Sequence, residues 1–235
     1  MIVSINMKKS AIWLLAIIAS TLVGCNELDN YDAPNGGIYG KILDATTNEP
    51  IPLPVQGSTG VIINLFEQNT TATKSIDFYA KDDGTYANTQ VFNGDYKVVV
   101  NGPFIETAER TVSINGQTEL NFTATPYARI DISASASGKT VTVQYSVNPT
   151  NPGLSVTDVY GYWNFAPGID NSGSNYAEKV TVHENSGEIT FDLENSTTFQ
   201  SNLYKIADNG NKVYFRVGAK TNGIINYSKI VEIAL

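Results

Sequence analysis

The chain contains a single cysteine, Cys25, and a single histidine, His183, and these counts limit its chemistry. A zinc site built from histidines and cysteines is excluded, because too few ligands are available. A Ser-His-Asp triad or a Cys-His pair would require His183. His183 lies in "EKVTVHEN", on the same predicted strand face as Lys179 and Thr181, so we expect an exposed side chain. The sequence predicts no metal site and no cofactor.

Carboxylates are the other candidates for catalysis, since the chain has 23 aspartates and glutamates. Most are single residues in predicted turns or on polar strand faces, and none lies in an apolar run that would raise its pKa. "KDDGTY", residues 81–86, lacks the alternating acids and the later glutamate of a calcium loop, so a hairpin turn is predicted. "DNSGSNY", residues 170–176, is predicted to be a flexible loop, with a cation or sugar contact as the alternative. We expect a protein that is not an enzyme.

The aromatic segment "DVYGYWNFAPG" contains the strongest candidates for ligand contacts. Alternation places Val159, Trp163 and Phe165 on one face of a strand and Tyr160 and Tyr162 on the other. The first face predicts that Trp163 lies in the core of a β-sandwich. The second face would present two tyrosine rings to solvent or to a sheet edge.

Exposed tyrosine rings combine a flat apolar surface with a polar hydroxyl, which suits stacking on sugar rings. Tyr214 and Arg216 would share this outward face if their strand lies beside the first one. The predicted ligand-binding residues are therefore Tyr160, Tyr162, Tyr214 and Arg216. The alternative is that the tyrosines cover a neighbouring strand.

The segment before Cys25 has the pattern of a secretory signal. Two lysines precede an apolar run at residues 11–18, which is too short for a membrane-spanning helix of about 20 residues. The final residues, Leu22-Val23-Gly24-Cys25, resemble the lipobox of bacterial lipoproteins. That resemblance implies that residues 1–24 are removed and that Cys25 carries two or three acyl chains. Each buried CH2 group contributes about 0.8 kcal/mol, so these chains together would hold the protein on a membrane.

Residues 25–36 are acidic, with glycine and proline, and are predicted to form a flexible linker. Glu27, Asp29 and Asp32 resemble the export signal that carries Bacteroidota lipoproteins to the outer face of the outer membrane. A solubilising linker on the periplasmic side is the alternative. The signal segment holds two lysines and no acid, so the formal charge of −8 becomes −10 from Cys25 onward. This charge argues against nucleic acid and anionic membrane surfaces as partners.

The residues after Gly37 show apolar alternation interrupted by Asn-Gly and Asp-Gly turn signals, which predicts antiparallel all-β layers. A single sandwich has roughly 100 residues. We therefore predict two consecutive β-sandwich domains, at residues 37–126 and 127–235, with Pro126 at the boundary.

Each predicted domain resembles a known sandwich family. The first resembles the transthyretin-like, carboxypeptidase-regulatory-like domains, through "GGIYGKILDATTNEPIP", "DDGTY" and "GDYKV". The second resembles fibronectin type III and Ig-like domains, through "KTVTVQYSVNP" and "KVYFRVGAKTNGIINYSKIVEI". In these strands the residues expected to face inward are Val141, Val143, Tyr145, Val147, Phe215, Val217 and Ala219.

The order of lipobox, acidic linker, transthyretin-like domain and Ig-like domain resembles a Bacteroidota lipoprotein family of unknown function, typically encoded beside starch-utilisation-type glycan importers. "NYDAPNGGIYGKILDATTNEPI" and "FNGDYKVVVNGPF" carry this match. It implies a non-catalytic, surface-anchored protein that captures glycans or binds importer components. A structural or adhesive spacer, or a pilus-like module that donates the C-terminal strand "KIVEIAL", is the alternative. A glycosidase with two acids in a cleft is a third hypothesis.

The lipobox generates the first testable prediction. Cys25→Ser removes the sulfur that would be acylated, so the variant should no longer incorporate radiolabelled palmitate and should leave the envelope fraction. Wild-type protein provides the reference in the same fractionation. Equal retention of the two proteins in the envelope would contradict lipid anchoring.

Overall fold

The computed structural model describes residues 32–57, 59–106 and 108–235. Cys25, the signal segment and most of the linker lie outside these residues, so the predictions made for them remain predictions. No helix among the described residues has the length and apolar character that a membrane span requires. The residues from Pro34 to Leu235 form one compact unit, which contains two β-sandwiches.

The first sandwich packs a mixed sheet against an antiparallel one. In the mixed sheet the long central strand pairs antiparallel with one neighbour and parallel with two short strands, each along half of its length. These parallel pairs depart from the predicted antiparallel pattern, because the two short strands follow a strand of the opposite sheet and not a hairpin from the central strand. The mixed sheet comprises β1 (Gly36–Asp44), β4 (Thr85–Val91), β7 (Gln117–Glu119) and β8 (Phe122–Ala124). The antiparallel sheet comprises β2 (Ile62–Glu67), β3 (Ile76–Tyr79), β5 (Gly94–Asn101) and β6 (Ala108–Ile114), in the order β3-β2-β5-β6.

The second sandwich packs a three-stranded sheet against a five-stranded one. The three-stranded sheet has the order β13-β10-β9, and the larger sheet has the order β12-β11-β14-β15, with β16 also paired to β14. The strands are β9 (Ala128–Ser137), β10 (Thr140–Pro149), β11 (Val156–Asn164), β12 (Glu178–Val182), β13 (Ser186–Asp192), β14 (Lys212–Thr221), β15 (Ile224–Tyr227) and β16 (Val231–Ala234).

The predicted inward faces are confirmed in the second core. Trp163 is completely buried and its Nε1–H donates to the Glu178 carboxylate at 2.9 Å. The alternating residues of β10 and β14 that were expected to face inward are all buried. The Asn222-Gly223 turn joins β14 to β15 with positive φ angles at both residues, as a two-residue hairpin requires.

Two short helices between β13 and β14 were not predicted. They are α1 (Thr197–Ser201) and α2 (Leu203–Asp208), and each is too short to show a helical repeat of apolar residues in the sequence. Ser196 caps α1, because its Oγ accepts the Phe199 N–H at 3.0 Å. Phe199 and Ile206 are buried and fix both helices to the end of the sandwich core.

The C-terminal strand is paired within its own sheet. Residues of β16 form an antiparallel ladder with Lys212–Phe215 of β14. The segment "KIVEIAL" is therefore not a free strand that the protein could donate to another subunit, which removes the feature that suggested a pilus-like module.

Candidate functional site

The four predicted ligand-binding residues do share one face of the larger sheet in the second sandwich. β11 pairs with β14 so that Tyr162 lies opposite Arg216, and Tyr160 and Tyr214 lie on the same side. The face is nevertheless buried. Tyr162 and Arg216 are 0% and 1% exposed, Tyr214 is 8% exposed, and only Tyr160 is half-buried. The prediction of an exposed stacking surface is therefore wrong.

The tyrosine face is buried because two segments cover it. The loop that follows β11 lays Ile169 and Tyr176 over the sheet, and the ring centroid of Tyr176 lies 5.6 Å from that of Tyr162. The connection between β1 and β2 in the first sandwich supplies the second cover, which contacts Arg216 through Leu53. Neither cover follows from alternation within a strand, because alternation assigns a face but not what packs against it.

Arg216 joins the two sandwiches. Its guanidinium donates three hydrogen bonds, from Nε to the Ser228 carbonyl at 2.9 Å, from Nη1 to the Ile169 carbonyl at 2.6 Å and from Nη2 to the Leu53 carbonyl at 2.8 Å. The guanidinium also lies 4.7 Å from the centroid of the Tyr227 ring, at cation–π distance. The Arg216 side chain therefore connects three segments: the residue that follows β15, the loop that follows β11, and the connection between β1 and β2 in the first sandwich.

Burial lowers the pKa of Arg216 to about 10, because desolvation disfavours the charged form, while the negative charges of Asp82 and Asp170 oppose this change. The side chain is still protonated at neutral pH, so all three carbonyls keep a charged donor. Charge-assisted hydrogen bonds are roughly twice as strong as neutral ones, which favours a fixed junction.

Asp170 forms a second link between the sandwiches. This fully buried carboxylate accepts the Val55 N–H at 3.0 Å and the Thr59 hydroxyl at 3.1 Å, both from the first sandwich. Its other oxygen accepts the Ser172 N–H at 2.8 Å and the Asn175 side-chain amide at 2.9 Å. The segment "DNSGSNY" is a loop, as predicted, and Asp170 fastens its first residue to the other domain.

Arg129 and Asn226 complete the junction. Arg129 binds the Asp44 carboxylate through Nε and Nη2, both at 2.8 Å, in a bidentate pair. The Asn226 side chain donates to the Pro103 carbonyl at 2.9 Å and accepts the Ala128 N–H at 3.1 Å. In these contacts between the two sandwiches, the polar atoms of each sandwich therefore have hydrogen-bond partners.

An interdomain groove lies beside this junction. It consists of two adjoining cavities of about 500 and 450 Å3 that share Glu49, Pro50, Pro52, Lys229 and Ile230. Ligand sites are commonly found at such domain interfaces. The predicted site residues do not line this groove, so its lining residues were missed by the sequence analysis, which treated each strand separately.

The floor of the interdomain groove is apolar and its rim is polar. Ile130, Ile132 and Val231 line the larger cavity, and Tyr227 adds an aromatic ring. At the rim, the Glu49 carboxylate lies 3.8 Å from the Lys229 ammonium group, and both side chains are well exposed. An apolar floor with a few polar groups is the usual composition of a small-molecule site.

Two carboxylates of the groove, those of Asp44 and Asp83, do not show the features of a general acid. Asp44 and Asp83 both keep a pKa below the ordinary value, because hydrogen bonds from Arg129 and Thr46 to Asp44, and from Thr85 to Asp83, outweigh the opposing effect of burial. A general acid at neutral pH needs the opposite shift. Among the described residues, no three His, Cys, Asp or Glu side chains form a group that could hold a metal ion.

The remaining sequence candidates have structural roles. "KDDGTY" is a turn, in which Gly84 has a φ of 83° and Asp83 accepts the Thr85 N–H at 2.9 Å. It joins strands of two different sheets, so it is not the predicted hairpin. His183 is exposed as predicted, with its Nδ1 at 3.4 Å from the Asp158 carboxylate.

The burial of Arg216 generates a stability prediction. Arg216→Met leaves three buried carbonyls without a donor, so it should lower the free energy of unfolding by about 3–5 kcal/mol and separate the unfolding of the two sandwiches into two transitions. Chemical denaturation would measure both effects. Arg110→Met is the matched control, since Arg110 is exposed and donates to one carbonyl, that of Asn121. A single transition with a loss below about 1 kcal/mol would refute the role assigned to Arg216.

The Arg129–Asp44 pair generates a pH prediction. Because the pKa of Asp44 in the folded protein lies below its ordinary value of 3.8, the pair contributes stability above that value and loses it as the pH falls through the lower, folded pKa. Between pH 6 and pH 3, wild-type protein should lose more stability than Asp44→Asn, which has no proton to gain at this position. Parallel curves of stability against pH would contradict this.

Comparison with known proteins gives the family of the chain. Two family models match it, the protein of unknown function (DUF3823) N-terminal domain over residues 36–125 and the DUF3823_C domain of unknown function over residues 127–232. A search of curated proteins found no significant match.

Solved structures of related proteins share this fold. A DUF3823 family protein from Parabacteroides merdae ATCC 43184 is 23% identical, with a TM-score of 0.70 over 86% of this chain and 100% of that chain. One from Bacteroides uniformis ATCC 8492 is 20% identical, with a TM-score of 0.68 over 86% and 100%. Another B. uniformis protein, described as having a suggested carbohydrate-binding role, is 21% identical, with a TM-score of 0.62 over 86% and 100%. From the two family matches, which together cover most of its length, the chain belongs to the DUF3823 family, whose function is unknown.

Proposed function

We propose that this protein is a non-catalytic glycan-binding component of a bacterial cell surface, anchored through lipid on Cys25, and that the glycan binds in the interdomain groove. The observation that carries the proposal is the groove itself, about 500 and 450 Å3 in its two parts, at a junction held by buried polar contacts. A site between two fixed walls is preorganised, so little binding energy is lost in ordering it.

The composition of the groove suits a sugar chain. Half-buried apolar side chains such as Ile132 and Ile230 can contact the C–H faces of pyranose rings. Glu49 and Lys229 at the rim can bind hydroxyl groups, as acceptor and donor respectively. A ligand that is polar but uncharged requires both kinds of contact, apolar packing and hydrogen bonds.

The relatives support the same class of ligand. One protein with this fold is described as having a suggested carbohydrate-binding role. At 21% identity this likeness shows the fold alone, so the ligand is part of our proposal. The sequence resemblance adds a context, since it implies delivery of glycans to an outer-membrane importer of the starch-utilisation type.

The path of β1 suits a protein tethered at its N-terminal side. β1 begins at Gly36, where the chain arrives from Cys25, and ends at Asp44, which binds Arg129 at the domain junction. The eight steps from Gly36 to Asp44 span about 26 Å at roughly 3.3 Å each. A chain tethered at its N-terminal side would therefore enter the first sandwich at the end of β1 that lies far from the groove.

A glycan array with residues 26–235 tests the proposed function. The double variant Glu49→Ala with Lys229→Ala removes both rim groups, and we expect it to bind the wild-type ligand at least about tenfold more weakly, a loss of about 1.4 kcal/mol. Isothermal titration calorimetry would quantify the difference.

The matched control for this experiment is Lys212→Ala with Glu232→Ala. It removes another exposed ion pair, which lies outside the groove. In this pair the Lys212 ammonium group on β14 lies 2.7 Å from the Glu232 carboxylate on β16. Binding should be unchanged in the control. The absence of any glycan ligand, or equal binding by the two double variants, would refute the groove as a glycan site.

A further inference from the structure

The charges around the interdomain groove are unbalanced. Five acidic side chains and two basic ones line its two cavities. Asp44 is held by Arg129 in a bidentate pair, and Glu49 lies 3.8 Å from Lys229. The acids that remain are Asp82, Asp83 and Asp131, and no basic side chain among the described residues forms an ion pair with any of them.

The unpaired acids lie in different parts of the groove. Asp131 lines the larger cavity, while Asp82 and Asp83 line the smaller one. Asp83 has a structural task, since it accepts the N–H and hydroxyl of Thr85 and fixes the turn. Asp82 and Asp131 have no such side-chain bond among the described contacts. The Asp82 charge also acts on the buried Arg216 guanidinium, and both carboxylates line the groove, where they can act on a ligand.

Negative charge in a cleft acts on a bound ligand more strongly than the same charge on a flat surface, because low-dielectric walls focus the field. A carboxylate or sulfate group on a sugar would meet two aspartates that have no ion-pair partner, whereas both basic side chains of the groove are already paired with acids. Hydroxyl groups would meet the same aspartates as hydrogen-bond acceptors. The charges of the groove therefore discriminate between an acidic glycan and an uncharged glycan that have the same ring shape.

We infer that the interdomain groove selects uncharged oligosaccharides and rejects acidic ones, and that Asp82 and Asp131 determine this selectivity. The inference rests on the proposed function and adds the ligand class to it. Acidic glycans such as uronate-containing or sulfated chains are excluded by repulsion and by desolvation of unpaired charge, which is how interfaces commonly reject a wrong partner.

The test uses one glycan backbone in two charge states. The neutral glycan that binds best on the array is compared with the same glycan after oxidation of its primary hydroxyl groups to carboxylates. Wild-type protein should bind the oxidised form at least about tenfold more weakly at an ionic strength of about 0.01 M. At about 1 M salt, where the screening length falls to roughly 3 Å, the difference should shrink.

Asp82→Asn with Asp131→Asn should reduce the penalty for the oxidised glycan, relative to the neutral form, to less than about threefold, because the amides can still accept hydrogen bonds from hydroxyl groups but carry no charge. The single variant Asp131→Asn should reduce the penalty partially, and it provides the test if loss of the Asp82 charge near Arg216 impairs folding. Glu194→Gln with Asp208→Asn is the charge-matched control, because both acids lie outside the groove, near α1 and α2, and this variant should keep the full penalty.

Several outcomes would overturn the inference. If wild-type protein binds the oxidised glycan as well as the neutral one, or if the groove variant and the control show the same penalty, the selectivity is wrong although the proposed function stands. If the array shows no ligand, or if Glu49→Ala with Lys229→Ala binds the wild-type ligand as tightly as wild-type protein, the proposed function fails as well.

Discussion

The architecture of this protein depends on the burial of Arg216. A guanidinium group is costly to remove from water, and its burial is tolerated only when every donor has a partner and opposite charges lie nearby. Here three carbonyls from different segments receive its hydrogen bonds, the Tyr227 ring covers one face, and Asp82 and Asp170 supply compensating charge. Since one of the carbonyls belongs to Leu53, this requirement can be met only when the two sandwiches are together.

The same requirement explains why a chain with two domains behaves as one compact unit. Interfaces between domains of a chain are often small and permit relative motion. In this protein the interface contains a buried arginine, a fully buried aspartate and a bidentate ion pair, each of which would lose at least one partner if the domains separated. The groove beside the interface therefore lies between two walls that these contacts join, which is the property on which our functional proposal depends.

The sequence was informative about strands and much less informative about surfaces. The inward faces of β10 and β14 and the core position of Trp163 follow from alternation alone, because each strand has only two sides. The burial of the outer face of β11 and β14 could not be predicted in this way. It depends on Leu53, which lies more than 100 residues earlier in the chain. Arg216 was correctly grouped with Tyr162, but an arginine between tyrosines suggested a ligand surface, whereas it is the centre of a domain junction.

The position of β1 has a mechanical consequence. This strand receives any load applied to the chain before Gly36, and it is hydrogen-bonded on both edges, to β4 on one side and to β7 and β8 on the other. A pull along its axis would stress these bonds in shear, so that many must break at the same moment and not one after another. The first sandwich is thus suited to resist a pull that reaches it through the chain before Gly36.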